Sequence, residues 1–135
     1  MAEKVEFELV APEQLLFSAS VDMVVVPGTE GDFGVLPGHA PLISLLRPGV
    51  IDVHDEGELS ERIFVASGFA EVTPARCTVL AAEAAPLRDL ERGAVEARLE
   101  AARRGTGEAE TDEEREAFAK DIAVAEAMLA AIEKA

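Results

Sequence analysis

Where the glycines and prolines fall constrains this chain more than any other feature of its sequence. Of 10 glycines only Gly93, Gly105 and Gly107 lie beyond residue 85, and of 7 prolines only Pro86 does. In a helix interior Gly costs about 1 kcal/mol and Pro about 3 kcal/mol relative to Ala. Long helices are therefore excluded from the first part and permitted in the second. Pro86 marks the expected boundary, between a domain over residues 1–85 and a second over 86–135.

Each part carries its own hydrophobic period. Lys4-Val5-Glu6-Phe7-Glu8-Leu9-Val10 places Val5, Phe7 and Leu9 on one face and the charges on the other, as a half-buried strand does. Short strand-like runs follow at 20–26, 41–46, 50–54, 62–66, 70–73 and 77–81, with turn residues at Pro27-Gly28, Pro37-Gly38, Pro48-Gly49 and Asp55-Glu56-Gly57. Many short, closely spaced strands predict a flattened β-sandwich or barrel.

After Pro86, Leu87, Leu90, Ala94, Ala97 and Ala101 step by three or four residues, predicting a helix over 87–104 that Gly105-Thr106-Gly107 ends. Thr111 followed three residues later by Glu114 is a capping-box pattern, and it opens a second helix over 112–134. There Phe118, Ile122, Ala125, Leu129 and Ile132 share one stripe. The short connection makes the helices antiparallel neighbours, with Leu90, Leu99, Phe118, Ile122 and Leu129 as the expected packing residues. The predicted fold class is β + α: an N-terminal flattened β-sandwich or barrel followed by a C-terminal antiparallel α-helical hairpin. Two helices alone bury little apolar area against the entropy of ordering them, so the hairpin is expected to dock elsewhere and to be able to rearrange.

Charge then narrows the partners. Against 12 Lys and Arg stand 27 Asp and Glu, a net charge of −15 that repels phosphate backbones and anionic headgroups. Neither nucleic acid nor direct lipid binding is expected. Residues 1–6 alternate charge and lack the basic start and apolar run of a signal peptide. The longest helical apolar stretch, 122–132, is 11 residues interrupted by Glu126, where crossing a bilayer takes about 20 residues.

Chemistry has little to work with. Cys77, His39 and His54 are too few for a metal site, and Cys77 sits in an apolar run as a buried structural thiol would. A single cysteine fits a reducing compartment. His39 has no Ser or Cys nucleophile and orienting acid beside it in the sequence, and paired carboxylates arise by chance in so acidic a chain. No catalytic residue is expected, and the chain reads as an interaction protein.

One loop stands apart, Pro27-Gly28-Thr29-Glu30-Gly31-Asp32-Phe33-Gly34-Val35-Leu36-Pro37-Gly38-His39-Ala40-Pro41. Its glycines do not have the G-x-G-x-x-G spacing of a dinucleotide fingerprint, and Glu30 and Asp32 would repel the backbone that an RNA-clamping G-x-x-G loop grips. Two readings stand. The glycines permit tight turns while Phe33 plugs the end of the sandwich, or an acidic tip beside an aromatic docks a basic, polar loop of another protein.

The run Glu30-Gly31-Asp32-Phe33-Gly34-Val35-Leu36-Pro37-Gly38-His39-Ala40-Pro41-Leu42, with Leu46-Arg47-Pro48-Gly49-Val50 and Ser67-Gly68-Phe69-Ala70-Glu71-Val72, resembles the epsilon subunits of F-type ATP synthases. The order of β domain then helical hairpin matches as well. The resemblance implies a non-catalytic rotor component of the central stalk, peripheral on the cytoplasmic face of the cell inner membrane. It would bind the gamma subunit and stand on the ring of c subunits, passing proton-driven rotation to the head where other subunits make ATP. Glu30, Asp32 and Phe33 would meet the ring, His39 would lie at the gamma contact, and the hairpin would reach the alpha and beta subunits and hinder hydrolysis. Some members bind ATP through an aliphatic-Asp-x-x-Arg-Ala motif. Here Asp89 and Arg92 keep the spacing, but Arg88 and Gly93 replace the flanking residues; in the other register Ala94 stands where the Arg should be. No cofactor is therefore expected.

Overall fold

In the computed structural model, which describes residues 3–12 and 14–134, the alternation of Val5, Phe7 and Leu9 becomes the inner face of β1 (Val5–Ala11). Seven strands follow: β2 (Gln14–Val21), β3 (Met23–Gly28), β4 (Gly31–Val35), β5 (Leu42–Leu45), β6 (Gly49–Asp55), β7 (Glu58–Val72) and β8 (Arg76–Pro86). Their order is β2-β1-β8-β7-β6-β3-β4, with β5 paired to β7. All neighbours are antiparallel except β1 and β8, which run parallel from Glu6 opposite Arg76 to Val10 opposite Leu80.

β7 folds the sheet over into a flattened sandwich. Up to Val65 it pairs with β6, and from Phe69 onward the same edge pairs with β5. Between these stretches Ser67 has φ 56° and Gly68 φ 126°. A Cβ on Gly68 would lie 1.9 Å from the Leu80 carbonyl oxygen, so both conformation and space demand glycine. Bends of this kind let one strand serve two layers. Val5, Phe7, Leu9, Val24, Val26, Val35, Ile51, Val53 and Val79 fill the interior, and Phe17 tilts against Phe7 at 5.7 Å between ring centroids. Cys77 is buried among them, and burial pushes its thiol up to about 12.

The strands differ from the sequence expectation in three places. Pro27-Gly28 ends β3 instead of forming a turn, and β4 runs through the glycine-rich loop, because Gly31 and Gly34 leave room for a ladder pairing Phe33 with Val26. β2 has no strict apolar alternation and is an edge strand held through β1. The runs at 62–66 and 70–73 are one strand, since the bend at Gly68 turns β7 without ending it.

The chain divides into two compact units between Pro86 and Leu87. The second opens with a 3-10 turn (Leu87–Asp89), followed by α1 (Arg92–Glu108) and α2 (Asp112–Lys134). α1 thus starts later and ends later than 87–104. Leu87 and Leu90 lie outside the helix, and the phase they set is lost. Its buried positions are Val95, Leu99 and Ala102, one residue on from the expected stripe of Ala94 and Ala101. Nor does Gly105 stop the helix. A Cβ there would lie 2.4 Å from the Phe118 ring, so this glycine makes room for α2. Thr111 caps α2 as expected, accepting the Glu114 N–H at 3.1 Å while its hydroxyl donates to the Glu114 carboxylate at 3.1 Å.

Cross-helix ion pairs border the seam between the helices. Arg98 donates twice to Asp121, at 3.0 and 2.5 Å, while Arg92 lies 3.6 Å from Glu133 and Arg103 3.7 Å from Glu126. At roughly 100° per residue, Asp121 falls on one side of the Phe118–Ile132 stripe and Glu126 and Glu133 on the other. The buried positions of α2 are Val124, Ala125, Met128 and Ala131; of the expected stripe only Ala125 is among them, and Phe118, Ile122, Leu129 and Ile132 are half-buried.

Candidate functional site

The loop singled out from the sequence is the β3–β4 hairpin. Gly28 faces Gly31 across the ladder, so Thr29 and Glu30 form the turn and project into solvent. Phe33 points back, half-buried against the core, with a ring atom only 3.0 Å from where a Gly28 Cβ would be. It is therefore a plug at the end of the sandwich, as the first reading of the loop has it, and the carboxylates of Glu30 and Asp32 stand outside.

The two carboxylates are not equivalent. Asp32 accepts from Arg47 at 2.5 Å, whereas Glu30 has no ion pair among the described residues. Arg47 also donates to the Gly28 carbonyl at 2.6 Å. It belongs to the connection between β5 and β6, which lies along the base of the hairpin. There the Arg47 N–H reaches the Pro27 carbonyl and the Thr29 N–H the Leu45 carbonyl, each at 3.0 Å.

His39 sits on the β4–β5 connection, half-buried, after Gly38 with φ 85°. Its Nδ1 is 2.7 Å from the Ala40 carbonyl, to which a proton on Nδ1 would donate. Its neighbours Leu36 and Leu42 are exposed apolar residues. Asp89 is exposed in the 3-10 turn, and Arg92 opens α1 with its guanidinium 3.6 Å from Glu133. Among the described residues no group of His, Cys, Asp and Glu could hold a metal ion, and no helix is long and apolar enough to cross a membrane.

A second surface was not read from the sequence. The strand registers align Leu45, Phe69, Leu80, Val10 and Leu15 in one row across β5, β7, β8, β1 and β2. Leu45 is 66% exposed, Leu15 55%, Leu80 39% and Phe69 37%. At the bend of β7 the row opens into an apolar groove of about 340 Å³ lined by Val10, Pro12, Gly68, Phe69, Leu80 and Ala82. The next row on this face, Ile43, Glu71, Thr78, Glu8 and Ser18, is polar apart from Ile43, and its Glu8 is paired with Arg76. The sequence signal was present in the doublets Leu9-Val10, Leu15-Leu16 and Val79-Leu80, which put an apolar residue on both faces of a strand.

A family model, ATP synthase, Delta/Epsilon chain, beta-sandwich domain, matches residues 4–87. The ATP synthase epsilon chain of Rhodospirillum rubrum is 59% identical over 131 residues, covering 97% of this chain and 98% of its own length. This chain belongs to the ATP synthase epsilon family. The epsilon chain of Paramagnetospirillum magneticum is 54% identical over 98% of this chain and 99% of its own. Among solved structures, a chain of the Euglena gracilis mitochondrial ATP synthase, OSCP/F1/c-ring in rotational state 1, superposes with a TM-score of 0.82 at 24% identity. That match covers 98% of this chain and 83% of the other, and it shows the fold alone.

Proposed function

We propose that this epsilon subunit is a rotor component of the central stalk, coupling proton-driven rotation of the c-ring through gamma to ATP synthesis in the catalytic head. The observation that carries the reading is the exposed apolar row. In a chain of net charge −15, large apolar side chains lined up across five strands call for a partner that covers them. Gamma is that partner, with His39 and its apolar neighbours as part of the contact. The acidic tip supplies a second, polar contact, suited to the short polar loops of the ring: the turn that bears Glu30, with Asp32 at its base on Arg47, faces them, and Phe33 braces the tip from behind.

The subunit does no chemistry in this reading. Its membrane association, at the cytoplasmic face of the inner membrane, goes through gamma and the ring. The hairpin, held by ion pairs and small residues, is the part suited to reach the alpha and beta subunits and restrain hydrolysis. ATP is not proposed as a ligand of this chain: Arg88 and Gly93 replace the residues that flank Asp89 and Arg92 in the family motif, and the Arg92 guanidinium lies 3.6 Å from Glu133.

Two measurements test this. Leu80→Glu should reduce co-purification with gamma by roughly tenfold or more, as a charge buried at the centre of an interface does; unchanged recovery would remove the apolar row from the contact. In the assembled enzyme Glu30→Cys should form a disulfide with a cysteine in the polar loop of a c subunit, and persistent failure would overturn the ring contact.

A further inference from the structure

We propose that Arg47 is a positioning residue that masks the charge of Asp32 and fixes the tip, so that the β3–β4 hairpin presents a single free carboxylate, Glu30, to a polar loop. The inference rests on the reading that this tip faces the ring. Arg47 uses two arms of its guanidinium on two parts of one hairpin, Nη1 on the Gly28 carbonyl at 2.6 Å and Nη2 on Asp32 at 2.5 Å. A planar fork of fixed geometry can hold both at once, whereas a point charge cannot do so in the same way. Its own backbone is held too. Its N–H bonds the Pro27 carbonyl, and the preceding Leu46 is buried with its N–H on the Gly68 carbonyl, both at 3.0 Å. The cation is thus anchored to the bend of β7, and the tip is anchored to the cation.

The consequence is a defined charge. Without Arg47 the hairpin would carry two free carboxylates on neighbouring exposed positions, and a loop offering few donors would meet surplus negative charge. With it, Asp32 is spent inside the chain and the turn is held at its base through the Thr29 N–H on Leu45. Recognition then falls to Glu30 and to the shape of the turn.

The test separates charge from structure. In the isolated full chain Arg47→Gln should speed amide exchange at Thr29 by about fivefold while Val24 and Val26 stay protected. In the assembled enzyme the same variant should lower ATP-driven proton pumping per ATP hydrolysed by about threefold. Adding Asp32→Asn should restore it, and Arg47→Lys, which keeps the charge without the fork, should fall between the two. Pumping unaffected by Arg47→Gln, or lowered without rescue by Asp32→Asn, overturns the proposal. Failure of the Glu30→Cys disulfide in an otherwise native complex defeats the ring reading itself; a disulfide that forms while pumping ignores Arg47→Gln defeats only the role of Arg47.

Discussion

Two glycines, one in each unit, show how differently the two halves are held. Gly68 sits at φ 126° with the Leu80 carbonyl where a side chain would go, so its neighbours are backbone atoms of a paired strand that cannot step aside. Gly105 lies in regular helix, and what presses on it is the ring of Phe118. A side chain can turn away where a strand cannot. The β domain is thus fixed by backbone geometry and long-range register, while the hairpin is fixed by side chains that have other places to go. The rigid half bears both proposed contacts, and the softer half is the one suited to rearrangement.

The sharpest way to break this contrast is Gly68→Ala. Clash and left-handed strain together should cost about 4 kcal/mol of β-domain stability in urea unfolding, and a loss below about 1 kcal/mol would show that β7 can shift after all.

Next comes alkaline pH, which should act on the β domain through Cys77. The unfolded thiol ionises near its usual value of about 8.5, whereas burial holds the native thiol up to about 12. Above the lower value the unfolded state binds fewer protons, so stability is whole below it and declines as pH rises toward the upper one. Between pH ~9 and ~11 the loss should be about 2 kcal/mol, and Cys77→Ala should flatten it. Lys4, whose ammonium the hydrogen bond to Asp55 raises above its usual range, adds a slope of the same sign above 10.5; it is common to both proteins and cancels in their comparison.

Smaller effects belong to the hairpin. Gly105→Ala should destabilise the helix pair by about 1–2 kcal/mol despite the better propensity of Ala, whereas Gly107→Ala, with nothing near its missing Cβ, should stabilise it by about 0.5 kcal/mol. Amide exchange over α1 and α2 distinguishes the pair, and equal signs would mean that Phe118 does not press on Gly105. Smallest of all, salt at about 1 M should loosen the cross-helix ion pairs by about 0.5 kcal/mol, while leaving exchange at the buried Val24 and Val26 of β3 untouched.

What the sequence disclosed follows the same division. Local signals were legible: the alternation of Val5, Phe7 and Leu9, the compositional break at Pro86, the Thr111 cap, and the loop whose carboxylates form the tip. Features made by distant residues were not. β4 is hidden because Gly31 and Gly34 read as a loop until Gly28 and Val25 are seen opposite them, with Val26 and Val24 opposite Phe33 and Val35. Gly105 read as a stop signal because Phe118, which explains it, is on another helix. The pairing of Asp32 with Arg47 spans 15 positions, and the apolar row exists only through the registers of five strands.

One of those registers also sets an order of events. β1 docks in parallel on β8, with Glu6 opposite Arg76, so during synthesis this strand must wait for the last strand of its domain. At about 5–20 residues per second that wait lasts seconds, during which β1 has only β2 for company and its inner face of Val5, Phe7 and Leu9 lies uncovered. The helices follow β8 in the chain. While they are being synthesised they occupy the exit tunnel, and β8 comes free to close the sandwich as they are made.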